Sequence, residues 1–527
     1  MKHFALLLFI TITSFVSVKA QVPNWSENVA CIIYNNCASC HTTGGIAPFP
    51  LLSYDDVKLY AGLIKSVVSE GIMPPWPPDP DYHPLADERI LTDAEIRTIV
   101  DWVDGGTPAG DLLLAPDPPD NQGAEVIADP DLVVQLPAYT SKAVNGDEYR
   151  CFVFPSELLE DRFITGFEVI PGNRNIVHHV LVFQDQSDRA LQLDAGDPAP
   201  GYLCFGGVGS NSAEMIGAWV PGQGAQYLPR DMGIRIPAGS NIVVQLHYPE
   251  GSAGEVDNTK INFQLSDRSD LREVNVDFIL NHFTSMVNGP LYIPANTVKT
   301  FRQEFKTPVP VTVIGVAPHM HLIGRSIKTW AQRPDGSIIP LIDIPEWDFE
   351  WQGFYRFQEP VTIPAGSFLR SEAVYDNTSA NPHNPNDPPL PVSVGEATTD
   401  EMMLVTFTWL FYDFGDEQLS LEPEVPVNGY SCNAISTDTN DPAEWQSLTL
   451  SPNPAREQIR IELENEWNGL LELSVRNTFG QLLKSRSLEK SGTRASWNLQ
   501  LDGLPPGVYL LQLTNGKKKI IKRMVIN

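Results

Sequence analysis

The chain has 527 residues, of which 42% are hydrophobic and 19% charged, and it carries a formal net charge of −29. Its length exceeds one ordinary domain and its apolar content suffices for packed cores, so roughly three or four folded units are expected and general disorder is excluded. So acidic a chain is excluded from nucleic-acid binding and from docking on anionic lipid.

The opening "MKHFALLLFITITSFVSVKA" joins a basic start to a short apolar run and ends in Val18-Lys19-Ala20, with small residues at the cleavage positions. Residues 1–20 therefore read as a secretory signal peptide, too short for a membrane span, on an exported chain in which disulfides are allowed. No later apolar run reaches the length of a transmembrane helix. Residues 21–115 read as helical. "SYDDVKLYAGLIKSVVSEG" and "LTDAEIRTIVDWVDGG" space their apolar residues by three and four, and each stops at glycine. Within this unit Cys37-Ala-Ser-Cys40-His41 is C-x-x-C-H, the attachment pattern of a c-type haem. Cys37 and Cys40 would bind the haem vinyl groups and His41 the iron. A redox pair needs no histidine, and a structural zinc site needs a second ligand pair that does not follow. Met73 in "GIMPPW" is the expected sixth ligand, with His83 as the alternative. The unit resembles a small cytochrome c.

A Pro/Asp-rich linker, 116–128, precedes a change of texture. From 129 to 425 short alternating runs such as "EYRCFVF", "NIVVQLHY", "KINFQL", "VTVIGV" and "MLVTFTWLFY" lie between Pro/Gly/Asn turns. They predict two consecutive antiparallel β-sandwiches, 129–270 and 271–425, divided in "SDRSDLREV". A polar linker over 426–447 leads to a small C-terminal all-β module, 448–527. The expected fold is thus multidomain: helical, then two sandwiches, then a smaller one.

Of the 10 histidines, five fall in three tight contexts: His178 and His179 in "NIVHHVLVFQD", His247 in "VVQLHYPEG", and His319 and His321 in "PHMHLIG". The last two sit at i and i+2 after an alternating run, so a strand would point both rings to one face. Taken singly, each context is an ordinary feature of a β-protein. Taken in order, with Gln245-Leu246-His247-Tyr248 and Asp400-Glu401-Met402, they resemble the copper type II monooxygenases, the family of peptidylglycine α-hydroxylating monooxygenase and dopamine β-hydroxylase. The resemblance spans roughly 129–415.

It implies two sandwiches, each with one copper ion, facing one another across a solvent-filled cleft. Carried over by motif, His178, His179 and His247 hold an electron-transfer copper. His319, His321 and Met402 hold the copper that meets O2 and performs the chemistry. Neighbouring residues on a strand point to opposite faces, so one of His178 and His179 is expected to turn in through its other ring nitrogen. Met402 is preferred to Met403, which shares an apolar face with Val405, Phe407 and Trp409, whereas Met402 alternates with Thr406 and Thr408. Met320 should point away from the metal, and Gln245, on the face of His247, should support that ring. The resemblance also pairs Cys151 with Cys204. Cys31 and Cys432 remain, either bridged across domains or both free. His282 and His383 match no motif and read as surface or structural residues, with a supporting place behind the metal ligands as the alternative for either.

The substrate pocket does not carry over. The amidating member of the family holds a peptide carboxylate with an arginine where this chain has Ala317, and an asparagine and a tyrosine where it has Leu404 and Thr406. The substrate is thus an unassigned small molecule or peptide. Inserting one oxygen atom of O2 into a C–H bond takes two electrons, which two one-electron coppers can store. The fused haem is expected to relay them from ascorbate or another external one-electron donor. The alternative, from a different class, is a haem/copper electron-transfer or copper-binding protein without oxygenase activity. Finally, "LSPNPAREQIRI", "NTFGQLL", "LPPGVYLLQL" and "GKKKIIKRMVIN" resemble the sorting domain of the type IX secretion system. This implies that machinery as a partner, and a secreted or cell-surface location.

Overall fold

A computed structural model describes residues 22–526 apart from 44, 120–124, 424–447, 457, 466, 477–481, 506 and 516–518. The expected signal peptide, the 426–447 linker and the pairing of Cys432 lie outside the described residues. The chain is mostly β-sheet with few helices.

The helices relevant to the site are α1 (Ala30–Asn36), α2 (Tyr54–Leu59), α3 (Ala61–Ser69) and α4 (Asp93–Asp104). The sequence reads 54–69 as one helix, but the backbone breaks at Tyr60, where ψ is 11°. Capping boxes start α2 and α4, Ser53 with Asp56 and Thr92 with Glu95, each satisfying two N–H groups that the first turn leaves free. Trp25, Ile33, Val57, Ile64, Ile99 and Trp102 close a core of their own.

Nine strands form one sheet: β1 (Glu148–Pro155), β2 (His179–Asp185), β3 (Tyr202–Leu203), β4 (Ala213–Trp219), β5 (Asn241–Tyr248), β6 (Asn275–Asn281), β7 (Val311–His319), β8 (Tyr355–Ile363) and β9 (Leu404–Phe411). Their spatial order is β8-β7-β9-β6-β4-β2-β5-β1-β3. The sheet runs through the boundary expected near 270, because Val276 of β6 pairs with Met215 of β4. A six-stranded sheet covers the first half and a four-stranded sheet the second. Phe263, Val180 and Leu246 on one side and Phe301, Tyr375 and Phe407 on the other belong to a single apolar core. Strand Phe368–Asn377 of the four-stranded sheet shows the governing rule, with every second residue buried.

The segment between Met73 and α4 docks on edge strand β8. Leu85 bridges Phe357, the Ala86 N–H donates to the Arg356 carbonyl at 2.7 Å, and Trp76 meets Tyr355 edge-on at 5.4 Å. This contact both covers a free sheet edge and fixes the helical unit against the β region. Residues 448–526 pack as a three-stranded and a four-stranded sheet around a separate core that includes Ile459, Leu473 and Leu511. No described helix is long and apolar enough to cross a membrane.

Candidate metal centres

Strand β5 is buried at all eight positions because it is central and both its faces are covered. Ile242, Val244, Leu246 and Tyr248 enter the main core, while Val243 faces a smaller cluster with Tyr149, Cys151 and Tyr202. His247 and Gln245 share the face of Val243. Register then sets His247 directly between His179 of β2 and Tyr149 of β1. His178 precedes β2 and donates its backbone N–H to the His247 carbonyl at 3.0 Å.

The three imidazoles converge, with ligand atoms within 4.8 Å of one another. The Nδ1 atom of His179 lies 3.4 Å from Nδ1 of His178 and 3.4 Å from Nδ1 of His247. This corrects the expectation that one neighbour uses its other ring nitrogen. Both present Nδ1, and the adjacency is resolved by the backbone, since His178 lies outside the strand and escapes its alternation. Tyr149 stacks on His247 at 4.4 Å and 9°. Behind the ring, His247 Nε2 is 3.4 Å from Asp147 Oδ2, close enough to orient it but not an aligned hydrogen bond. Gln245 does not play that part, because its amide donates to the Cys204 carbonyl at 3.2 Å. Cys204 is disulfide-bonded to Cys151, as the resemblance implied.

His319 ends β7 and His321 lies in the turn beyond, their ring centroids 5.0 Å apart. The i, i+2 pair thus straddles a strand end. His319 Nδ1 donates to Gln352 Oε1, and His321 Nδ1 donates to the Asp400 carbonyl at 3.1 Å, which leaves both Nε2 atoms free. His319 pairs with Leu404 at the end of the ladder, and Met402, buried, lies two residues before that partner. Glu401 ties the two segments together. Its carboxylate accepts the N–H groups of His321 at 2.9 Å, Ile323 at 2.8 Å and Met402 at 3.2 Å. Met403, Val405 and Phe407 are fully buried in the core, Trp409 only partly, and Met320 is buried away from the histidines. His282, without a motif, accepts the Met403 N–H on its Nδ1 at 3.3 Å and lies near enough to His319 to help lower that ring's pKa. His383 is exposed.

One side chain touches both groups. Phe349 stacks on His178 at 5.3 Å and meets His321 edge-on at 5.8 Å, so an aromatic ring spans the space expected to be a solvent-filled cleft. Burial, with the neighbouring His247 and His319, pushes His178 down to about 4, and burial does the same to His319 against its bond to Gln352. His179 and His321 are likewise driven well below the usual imidazole range, burial first. Such rings are neutral at pH 7, the form that binds metal.

In the helical unit Cys37 caps α1 and its carbonyl accepts the N–H groups of Cys40 and His41. Both thiols are unbridged. His41 Nδ1 donates to the Phe49 carbonyl at 2.9 Å, leaving Nε2 free. Met73 follows α3, half-buried, its N–H bound to the Val67 carbonyl at 3.2 Å. His83, the alternative ligand, packs edge-on against Phe357 at 4.7 Å.

Sequence reading missed Asp147, Tyr149, Phe349 and Gln352. Alternation could have found the first two, which share the face of Cys151 on β1. No periodic signal exists in the "EWDFEWQG" loop.

The sheet-borne histidines and the carboxyl-terminal module point to two families, and comparison bears both out. Residues 295–422 match the copper type II ascorbate-dependent monooxygenase C-terminal domain, and residues 449–527 match the secretion system C-terminal sorting domain. The chain therefore carries a domain of the copper type II monooxygenase family and ends in the sorting domain of a type IX secretion substrate. Tyramine beta-hydroxylase of Caenorhabditis briggsae is 25% identical over 226 residues, 40% of this chain and 36% of that protein. DBH-like monooxygenase protein 1 of Mus musculus is 24% identical over 233 residues, 39% of this chain and 36% of that protein. The chain thus spans little more than a third of the length of these relatives. The solved structure of PNGase F, a glycosylasparaginase from Flavobacterium meningosepticum, covers 53% of this chain and 96% of its own at 10% identity, with a TM-score of 0.23, too low to equate the folds.

Proposed function

We propose that the protein is an exported copper-dependent monooxygenase that uses O2 to hydroxylate an activated C–H bond, with a c-type haem relaying electrons to its copper centres. On this reading residues 21–115 form the haem unit, and 129–270 and 271–425 carry one centre each. The observation that carries it is the gathering of His178, His179 and His247 into one group and His319 and His321 into another, both touched by Phe349.

The donors suit copper: neutral imidazoles serve both oxidation states, and the Met402 thioether favours the reduced one that meets O2. Bound copper supplies one-electron steps, so two ions hold the two electrons that, with two protons, convert C–H and O2 to C–OH and water. The chain's own residues do the positioning. Gln352 and the Asp400 carbonyl hold protons on Nδ1 of His319 and His321, leaving both Nε2 atoms open to a metal. The Phe349 ring keeps water from the space between the groups. Ala317 lies opposite Thr406, and Leu404 opposite His319, so no cation stands there to bind a carboxylate. A neutral substrate fits this lining.

At the haem end, free Cys37 and Cys40 beside a histidine whose Nε2 is open fit covalent haem, which would pass single electrons. Support for a relay to the three-histidine centre comes from Gly222, where an added Cβ would lie 3.5 Å from Cys40 Sγ. That turn follows β4, whose Trp219 pairs with Val180, the residue after His179. Ascorbate or another one-electron donor would refill the haem.

The test is metal and haem stoichiometry on the purified chain, with O2 uptake across a panel of neutral substrates. Two coppers, one haem and a hydroxylated product are expected. Electron exchange without O2 consumption would leave only a redox carrier. Replacing His41 should abolish turnover with the natural donor and spare it with a chemical reductant, and unchanged turnover would rule out the relay.

A further inference from the structure

The two histidine groups are joined behind the metals as well as between them. Asp147, one residue before β1, has a side chain only 8% exposed, and its Oδ2 lies 3.4 Å from His247 Nε2. The same oxygen accepts the Thr398 hydroxyl at 2.6 Å and the Thr398 N–H at 2.9 Å, while Oδ1 accepts the Glu250 N–H at 3.0 Å. Two residues along the strand, Tyr149 stacks on His247 and donates its hydroxyl to the Glu396 carbonyl at 2.7 Å. Glu396 and Thr398 open the loop that continues through Asp400, Glu401 and Met402. Asp400 holds His321 through its carbonyl, and Glu401 holds both His321 and Met402 by their N–H groups. An unbroken line of contacts thus runs from the His247 ring through Asp147 and Thr398 to the segment that positions His321 and Met402.

We infer that Asp147 and Thr398 form a clasp coupling the two centres, so that the alignment of His247 sets the position of the Met402 loop. Asp147 and Thr398 are positioning residues and touch neither substrate nor O2. Because one carboxylate oxygen faces the His247 ring and also accepts both Thr398 donors, a shift of either side moves the group the other rests on. When the His247 ring is fixed by a metal on Nδ1, its Nε2 side is fixed too, and the loop beyond Asp147 gains a rigid anchor. With no metal on it the His247 ring keeps these contacts but can turn, so Tyr149 and Asp147 pack against a less rigid partner and hold the loop less firmly at two of its points of attachment. Filling the first centre therefore strengthens the second, and by reciprocity the second strengthens the first.

The inference rests on the two-centre reading, and the experiment separates the two. Copper(I) alone is titrated into the full chain against a competing chelator, and the carbon monoxide stretch of the reduced protein reports the His319/His321/Met402 centre. The wild type should take up two copper ions with one sharp carbonyl band. His247→Ala should weaken the second centre about tenfold and broaden that band. Thr398→Val should do the same while leaving the copper(II) spectrum of the three-histidine centre intact, and Thr398→Ser, which keeps the hydroxyl, should restore both affinity and band. The double variant should be no weaker than either single one. An unchanged second centre in His247→Ala, or multiplicative losses in the double variant, would overturn the clasp with the two-centre reading intact. Uptake of fewer than two coppers by the wild type would overturn both.

Discussion

Phe349 lies nearly parallel to His178, 20° between ring planes and 5.3 Å between centroids, and meets His321 edge-on at 5.8 Å. It is the shared neighbour of two histidine groups that come from opposite halves of the sheet. Phe349→Ala would open a water-filled gap in its place. If the protein is the monooxygenase proposed, its reduced form should then consume O2 several-fold faster without substrate and release it as peroxide, because water would reach the reacting groups more freely. Peroxide per O2 consumed is the measurement. A ratio equal to the wild type would show that the ring is packing only.

Glu401 is fully buried, yet it satisfies backbone N–H groups of His321, Ile323 and Met402. Glu401→Ala orphans these donors at once, and each buried donor left unpaired costs about 1–3 kcal/mol. An overall loss of about 3 kcal/mol is expected in urea unfolding, with copper lost from the His319/His321/Met402 centre and kept at His178/His179/His247. Loss from both centres in equal measure would show that Glu401 acts on the whole fold.

How much of this was legible follows from what each residue depends on. The strands announced themselves by alternation, and "NIVVQLHY" is strand Asn241–Tyr248 to the residue. The five histidines were legible because each sits in a short motif. Their grouping came from the family resemblance and not from the residue pattern, because it depends on register: His247 meets His179 only through the pairing of β5 with β2. The nine-stranded sheet was illegible for the same reason, resting on a long-range pair, Val276 with Met215, between segments that each look like a domain of their own. Gln245 misled because alternation gives a face but not a partner, and the nearer acceptor was Cys204. Phe349 and Gln352 sit in a loop without period, where only the folded chain reveals what they touch.

Acid should dissociate the metals later than it would from exposed histidines. Burial holds His178 and His319 near 4, below the ordinary imidazole value of about 6.5, so protons compete with metal only as pH approaches 4. Copper retention after dialysis should be flat from pH 7 to about 5 and fall below that. For the metal-free chain the sign follows from linkage. These groups bind protons more tightly when unfolded, so their stabilising contribution is complete above about 6.5 and is lost as pH falls toward 4. The midpoint of thermal unfolding should therefore drop across that window. A midpoint that holds steady there would mean the rings are hydrated in the folded chain.

At the other end of the molecule, Cys37 and Cys40 are free thiols on a turn whose histidine has one nitrogen committed to the Phe49 carbonyl. Replacing both cysteines by serine should abolish the haem that survives acid-acetone extraction and leave the copper count at two, because the helical core and the sheet core are separate. Replacing Met73 by alanine is the finer test. Covalent haem should remain, but its reduction potential should fall, since a thioether ligand raises it. His83→Ala should leave that potential unchanged, its ring being engaged with Phe357. A potential that moves with His83 and not with Met73 would transfer the sixth-ligand role to the docking segment on β8. Electrons would then enter the sheet beside Tyr355 rather than at the Gly222 turn.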